Sequence, residues 1–395
     1  MAHDEPSAQL HLELREAVQA ALATHRPILH HLNADTSWLL QLPRPDSAVR
    51  NGGRLYYNIL IDPWLGGYQI DFASWFSQQW HREPCAVGSI AAVEELAQEI
   101  EILASGLRIG AGRKSSKNAE LEDGNLETFI DALAISHEFT DHCHQETLLQ
   151  LHPDVPVFAV KEAVKVIRGW QHFRTITKID EFGPADDVDW RSTSVPPLPE
   201  WVGIGRLVQH SDVGNLHSAL MITFNNQHAR TRLSHPNGHS HARKRHATIG
   251  PDESEESAEA VIYTPHGIAA QELSMVTRAS PTIRTLALVH GLQNVRLKPT
   301  KGITALQINR GGLNGLEAQR ALNARYWVST HDEIKRGRGL IGWLLQQQTI
   351  TPKEASSQLQ RSAGDRAEAG TNGRGDASDD THWVSVGNGE SKILE

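Results

Sequence analysis

The sequence predicts an α/β protein in which sheets are faced by helices, and three observations carry that expectation. From Val155 to Val160 the chain reads as a strand, from Lys161 to Trp170 as a helix, and from Arg174 to Ile179 it alternates as a strand again. Four further β-type runs follow at Val202 to Gln209, Leu216 to Phe224, Ala258 to Thr264 and Ile283 to Val289. A helix from Leu316 to Asn323 then feeds a short strand, Tyr326 to Thr330, an order that suits sheets covered by helices. With 395 residues, 39% hydrophobic and 22% charged, there is apolar material for one large core or two modest domains, and disorder throughout is excluded.

Taken in order, residues 8 to 23 place Ala8, Leu10, Leu12, Leu14, Ala17, Val18, Ala21 and Leu22 at helical intervals, giving a helical extension over residues 1–30 suited to packing or dimer formation. Ser37 to Pro43 and Arg54 to Pro63 read as strands joined through Asn51-Gly52-Gly53, a hairpin signal. Ile90, Val93, Leu96, Ile100 and Leu103 mark a helix over residues 90 to 104, and Gly112 to Asp123 a polar loop. Phe129 to Ser136 is a short apolar strand, and Gln145 to Leu151 a helix turn beyond a polar junction. The main domain is expected over residues 31–350. Residues 226–257 form a polar insertion with His228, His235, His239, His241 and His246, expected to be a surface loop. From about Pro352 the composition turns to Gly, Ser, Asp and Arg, and residues 351–395 are expected to be a disordered tail.

Charge narrows the partners. Lys and Arg number 38 against 47 Asp and Glu, so no general basic field favours nucleic acid or an anionic membrane surface, and a small-molecule substrate is expected. No apolar run approaches the roughly 18 residues needed to span a bilayer, so no membrane insertion is expected. Cys85 and Cys143 allow at most one bridge, which fits a reducing, cytoplasmic setting. Histidine is the unusual count, at 22.

The sharpest segment is Ser136-His137-Glu138-Phe139-Thr140-Asp141-His142-Cys143-His144, directly after an apolar strand. Imidazole and carboxylate are the groups that hold Zn²⁺ or a similar cation, and His137, Asp141 and His142 offer three on a short arc. The same residues also read as a hydrogen-bonded helix start capped by Asp141. Helical geometry points His144 about 200° around from His142, so it reads as a solvated or packing histidine. Cys143 reads as a buried helix-start thiol. His290, at a strand end, either lines a pocket or is hydrogen-bonded in the core. Trp38, Trp64, Tyr68, Trp75 and Trp80 are core residues or a grip for an apolar substrate.

With these residues in order, the chain resembles the metallo-β-lactamase fold superfamily, especially its hydrolase branch that includes L-ascorbate-6-phosphate lactonase and N-acyl-phosphatidylethanolamine phospholipase D. His137-Glu138-Phe139-Thr140-Asp141-His142 is similar to the signature H-x-H-x-D-H, with Phe139 in place of the second histidine. Ile59-Leu60-Ile61-Asp62-Pro63-Trp64 resembles the early strand ending in Asp-Pro, and His217 falls where a third ligand histidine is placed. His266, in Tyr263-Thr264-Pro265-His266-Gly267, stands where a bridging aspartate is usual, and His331 resembles the final histidine after an alanine-rich helix and a strand.

The resemblance implies a metallo-β-lactamase-like αββα sandwich. It also implies metal ligands among His137, Asp141, His142, His217, His266 and His331, with Asp62 supporting the site from behind. The set Asp141, His142 and His331 is more complete than the set left by Phe139, and His266 lacks a carboxylate's charge. One ion is therefore expected rather than two, with Zn²⁺ foremost and Mn²⁺ or Fe²⁺ as alternatives. The implied function is hydrolysis of a small ester, lactone or phosphodiester by metal-activated water. Asp141 would orient or deprotonate the water, and His266 or His144 would protonate the leaving group. The alternative is a non-catalytic protein of this fold that binds a ligand or partner. A third reading, metal buffering by the insertion, requires residues 226 to 257 to bind ions by themselves.

Overall fold

A computed structural model describes residues 8–46, 48–49, 53–71, 75–110, 128–183, 188–212, 214–225, 256–298, 306–368 and 382–395. The turn at 51–52, the loop expected at 112–123 and all but the last two residues of the histidine-rich insertion lie outside them.

Two mixed sheets form the centre. The first runs, edge to edge, through Ser391–Ile393, Ile28–His31, Trp38–Pro43, Tyr56–Ile61, Ala132–Ile135, Val157–Ala159 and Ile176–Lys178. The second runs through Trp383–Val384, Tyr326–Val328, Ile283–His290, Ala258–Thr264, Ser218–Phe224 and Val202–Val208. Trp38–Pro43 and Tyr56–Ile61 pair antiparallel, the hairpin the sequence predicts, and Ala132–Ile135 continues the sheet in parallel. Ala132–Ile135 and Val157–Ala159 are apolar throughout because both faces are covered.

Alternation along the strands sorts side chains into layers. Leu220, Ile222 and Phe224 join Val261 and Tyr263 in a core shared with Leu39, Ile59 and Leu133 of the first sheet. Their sequence neighbours Ala219, Met221, Ala260 and Ile262 face outward onto Leu273, Val276 and the helix Gly311–Leu322, through Ala318 and Leu322. On the far side, Val18 and Ala21 of helix Ala8–Thr24 and Ile100 and Ala104 of helix Ile90–Gly110 cover Ile28 and Tyr56. The result is the expected αββα sandwich, and the N-terminal helix is one of its outer layers.

The C-terminal region departs from expectation. Pro352–Glu368 is a helix, with Ala355 fully buried near Leu316 and Ile350, and Trp383–Val384 and Ser391–Ile393 add edge strands to the two sheets. Composition hides this because the anchoring residues are few: Val386 and Leu394 are buried, Leu394 N donates to Pro27 O, and Arg26 Nε donates to Leu394 O. Residues 369–381 of the expected tail lie outside the described residues. Among the described residues, no helix is long and apolar enough to cross a membrane.

Candidate metal centre

Strand direction gathers the site at one edge of the sandwich. Asp62 and Ser136-His137 leave the ends of parallel neighbours, with Ile61 level with Ala134 and Asp62 N donating to Ala134 O at 3.1 Å. In the other sheet, His266 lies just past Thr264, His217 just before the antiparallel neighbour Ser218–Phe224, and His331 just past Val328. The turn from Leu32 to Ser37 closes the same edge and brings in Asp35, since Trp38 pairs with Ile61. Across the sandwich, Trp38 Nε1 donates to Thr330 Oγ1 at 2.9 Å and His331 N to Asp35 O at 2.9 Å.

Each ligand-type imidazole has an assigned neighbour. His142 Nδ1 is 2.7 Å from Asp62 Oδ2, so the carboxylate takes its hydrogen and Nε2 points inward, 3.0 Å from His266 Nε2. Asp62 itself is fixed by Ser136 N at 2.7 Å and by the Ser136 hydroxyl. His331 repeats the arrangement, with Nδ1 3.0 Å from Asp35 Oδ1 and Nε2 3.9 Å from Asp141 Oδ2. His137 is the most engaged, its Nε2 donating to Leu216 O at 2.9 Å and its Nδ1 2.8 Å from Ser136 Oγ. Among the described residues, two groups of three have the donor spacing to hold an ion, His137 with His142 and His266, and Asp141 with His142 and His331.

The donors fit a divalent ion. Imidazole with one carboxylate suits zinc, iron or manganese, and carboxylates behind two of the rings fix their tautomers. Among the described residues His266 Nδ1 is buried without a hydrogen-bond partner, and its Nε2 faces the lone-pair side of His142. The cluster opens at Asp141 and His331, each 8% exposed, whereas His142 is fully buried, so a substrate would approach from that side.

Charge is unevenly distributed. Burial would raise the Asp141 carboxyl, but Lys335, His142 and His331 outweigh it and hold the group well below the usual carboxylate range. Asp35 is likewise held low against burial by His331 and Lys335. Burial and then the neighbouring imidazoles push His266 down, and burial and His142 push His137 down. His142 is raised against burial by Asp141 and Asp62.

His137, Asp141, His142, His266 and His331 therefore lie together, and the Asp62 carboxylate meets the His142 ring. His217 is not in either converging group. Its Nδ1 lies 3.0 Å from Asp212 Oδ1. His144 caps the short helix Gln145–Leu148, with Nδ1 2.9 Å from Thr147 Oγ1, so it does not replace the missing imidazole. Phe139 packs 6.1 Å from the His137 ring and 6.4 Å from that of His266, between centroids. Cys143 is buried in the core, and burial pushes its thiol up. His290 Nε2 is 3.1 Å from Asn314 Oδ1, a core histidine. Trp38 and Trp64 are buried, while Trp75 is 68% exposed and points away from any core role.

Two residues of the site escaped sequence reading. Asp35 lies in a polar turn with no motif, and Lys335, four residues after His331, carries a side chain type that binds no metal. Its Nζ lies 2.9 Å from Asp141 Oδ2.

No protein-family model matches the chain, and no curated protein does. Solved structures similar to it include a possible metal-dependent hydrolase from Veillonella parvula, 11% identical at a TM-score of 0.46, covering 93% of this chain and 100% of that one. Isothiocyanate hydrolase from Delia radicum gut bacteria is 12% identical at 0.45, covering 93% and 99%. The metallo-beta-lactamase fold protein YhfI from Bacillus subtilis is 9% identical at 0.38, covering 93% and 99%.

Proposed function

We propose that the protein is a metal-dependent hydrolase acting on a small ester, lactone or phosphodiester. The observation that carries the reading is the pair of carboxylate-backed imidazoles, Asp62 with His142 and Asp35 with His331, which turn two Nε2 atoms toward Asp141 and His266. A divalent ion held by Asp141, His142 and His331 would lower the pKa of a bound water from about 15.7 to about 7. The residues present are better suited to holding than to shuttling protons. Asp141 is kept ionised by Lys335, and burial keeps His266 neutral, so both favour a ligand's part over acid or base. His144 is occupied by its cap.

A non-catalytic, ligand-binding reading is favoured by Phe139, which fills the first donor group's flank with a hydrocarbon ring. The two separate on one experiment. Metal content by elemental mass spectrometry is compared between untagged wild type and a His142→Ala, His331→Ala double variant, with turnover of ester, lactone and phosphodiester panels. The proposal expects about one ion per chain, lost in the variant, and turnover abolished by chelation and restored by Zn²⁺, Mn²⁺ or Fe²⁺. Turnover that survives in the variant, or a metal-loaded wild type inert across all three panels, counts against it.

A further inference from the structure

Lys335 is placed where a cation is needed. Its Nζ lies 2.9 Å from Asp35 Oδ2 and 2.9 Å from Asp141 Oδ2, and it stands 5.3 Å above the ring of Trp64. The ammonium donates to Asp141 Oδ2, pairs by charge with Asp35 Oδ2 and has the Trp64 indole on another side, so both carboxylates and the ring hold it in place. The side chain is 10% exposed, and Asp35 is fully buried. This is a fixed positive charge spanning two buried carboxylates, one of which belongs to the donor set.

The donor sets themselves point the same way. Both groups of three draw on His142, so two ions would have to share one imidazole and lie close together. Of the carboxylates around the imidazoles, Asp62 backs His142, and the other two, Asp141 and Asp35, each already face Lys335. An ammonium supplies one positive charge there without drawing a single ligand from the imidazoles.

We propose that Lys335 is a built-in cation that limits the centre to one divalent ion, its ammonium standing between Asp35 and Asp141 in place of a second. The inference rests on the metal-dependent reading above and extends it to stoichiometry. It makes Lys335 a positioning residue, acting through Asp141 and Asp35.

Zinc titration of the full chain followed by native mass spectrometry tests it. Wild type is expected to take one Zn²⁺, Lys335→Arg one, and Lys335→Gln two, with one of the two removed first by a competing chelator. Adding Asp35→Asn to Lys335→Gln should return the count to one, and this double variant also relieves the uncovered buried charge should the single variant fold poorly. Two ions on wild type, or one on a folded Lys335→Gln chain, would overturn the role of Lys335 and leave the hydrolase reading standing. No ion on wild type would instead remove the hydrolase reading. Lys335→Gln gaining an ion in that case would still support the lysine as a cation surrogate, and gaining none would overturn it.

Discussion

Asp62 and His331 adopt left-handed backbone conformations, with φ of 42° and 55°, although neither is glycine. Such geometry costs on the order of 1 kcal/mol or more and persists where surrounding contacts fix it. Here those contacts are Ser136 N on Asp62 Oδ1 and Asp35 on both the amide and the ring of His331. The strain is spent on aiming two imidazoles. Asp62→Asn is therefore expected to weaken zinc binding by about 10–100-fold, read by competition with a chelating dye, while the far-ultraviolet circular dichroism stays unchanged. Equal affinity in the two proteins would show that the carboxylate does not orient His142. At this scale the sequence was informative where ligand chemistry follows a strand end in a compact pattern, as in His137 to His142. It was silent on Asp35, whose partner His331 lies 296 positions away, and on Lys335, whose meaning appears only once Asp141 is beside it.

Among the elements, the C-terminal helix had a readable signal that composition obscured. Thr351-Pro352-Lys353-Glu354 is a capping box: Glu354 Oε2 accepts from Thr351 N and Oγ1, Thr351 Oγ1 accepts from Glu354 N, and proline occupies the first helical position. Thr351→Ala should cost about 1 kcal/mol in urea unfolding. An unchanged midpoint would mean that packing on the helix Gly311–Leu322 alone holds the segment. The last strand had weaker cues, because three residues pair at an edge and their support is polar. His30 reaches Ser391 Oγ through Nδ1 and Gln41 Oε1 through Nε2. Burial, opposed by the Gln41 contact, pulls its imidazole from 6.5 down to about 4. The folded chain then binds fewer protons than the unfolded chain between those values, so this stability is present above pH 6.5 and is lost as pH falls toward 4. Relative to His30→Gln, wild type should lose roughly 2–3 kcal/mol between pH 7 and about pH 4.5. Parallel pH profiles for the two proteins would exclude the histidine as the source.

For the whole molecule, the order of strands and helices was legible because each apolar run kept its period, and Leu220, Ile222 and Val261 face the core as alternation requires. The small sheet of Gln69–Asp71, Ser77–Trp80 and Arg336–Arg338 was not, since its strands are short and polar and are held by pairing and by side-chain hydrogen bonds from Thr140 and Arg338. The shared core predicts a large response: Leu220→Ala should destabilise by about 2–5 kcal/mol and lower the melting temperature by several degrees. A shift under one degree would place that side chain outside the core.

The separation of 296 positions between Asp35 and His331 has a kinetic consequence. A growing or refolding chain can collect His137, Asp141 and His142 locally, but the remaining donors arrive only with the long-range closure of one sheet on the other. An ion held by these donors would therefore be captured tightly only late, and it would stabilise the native state alone. A partly open intermediate of a metal-loaded chain should then lose the ion before its helices and hairpins melt, so ion retention would gauge complete assembly.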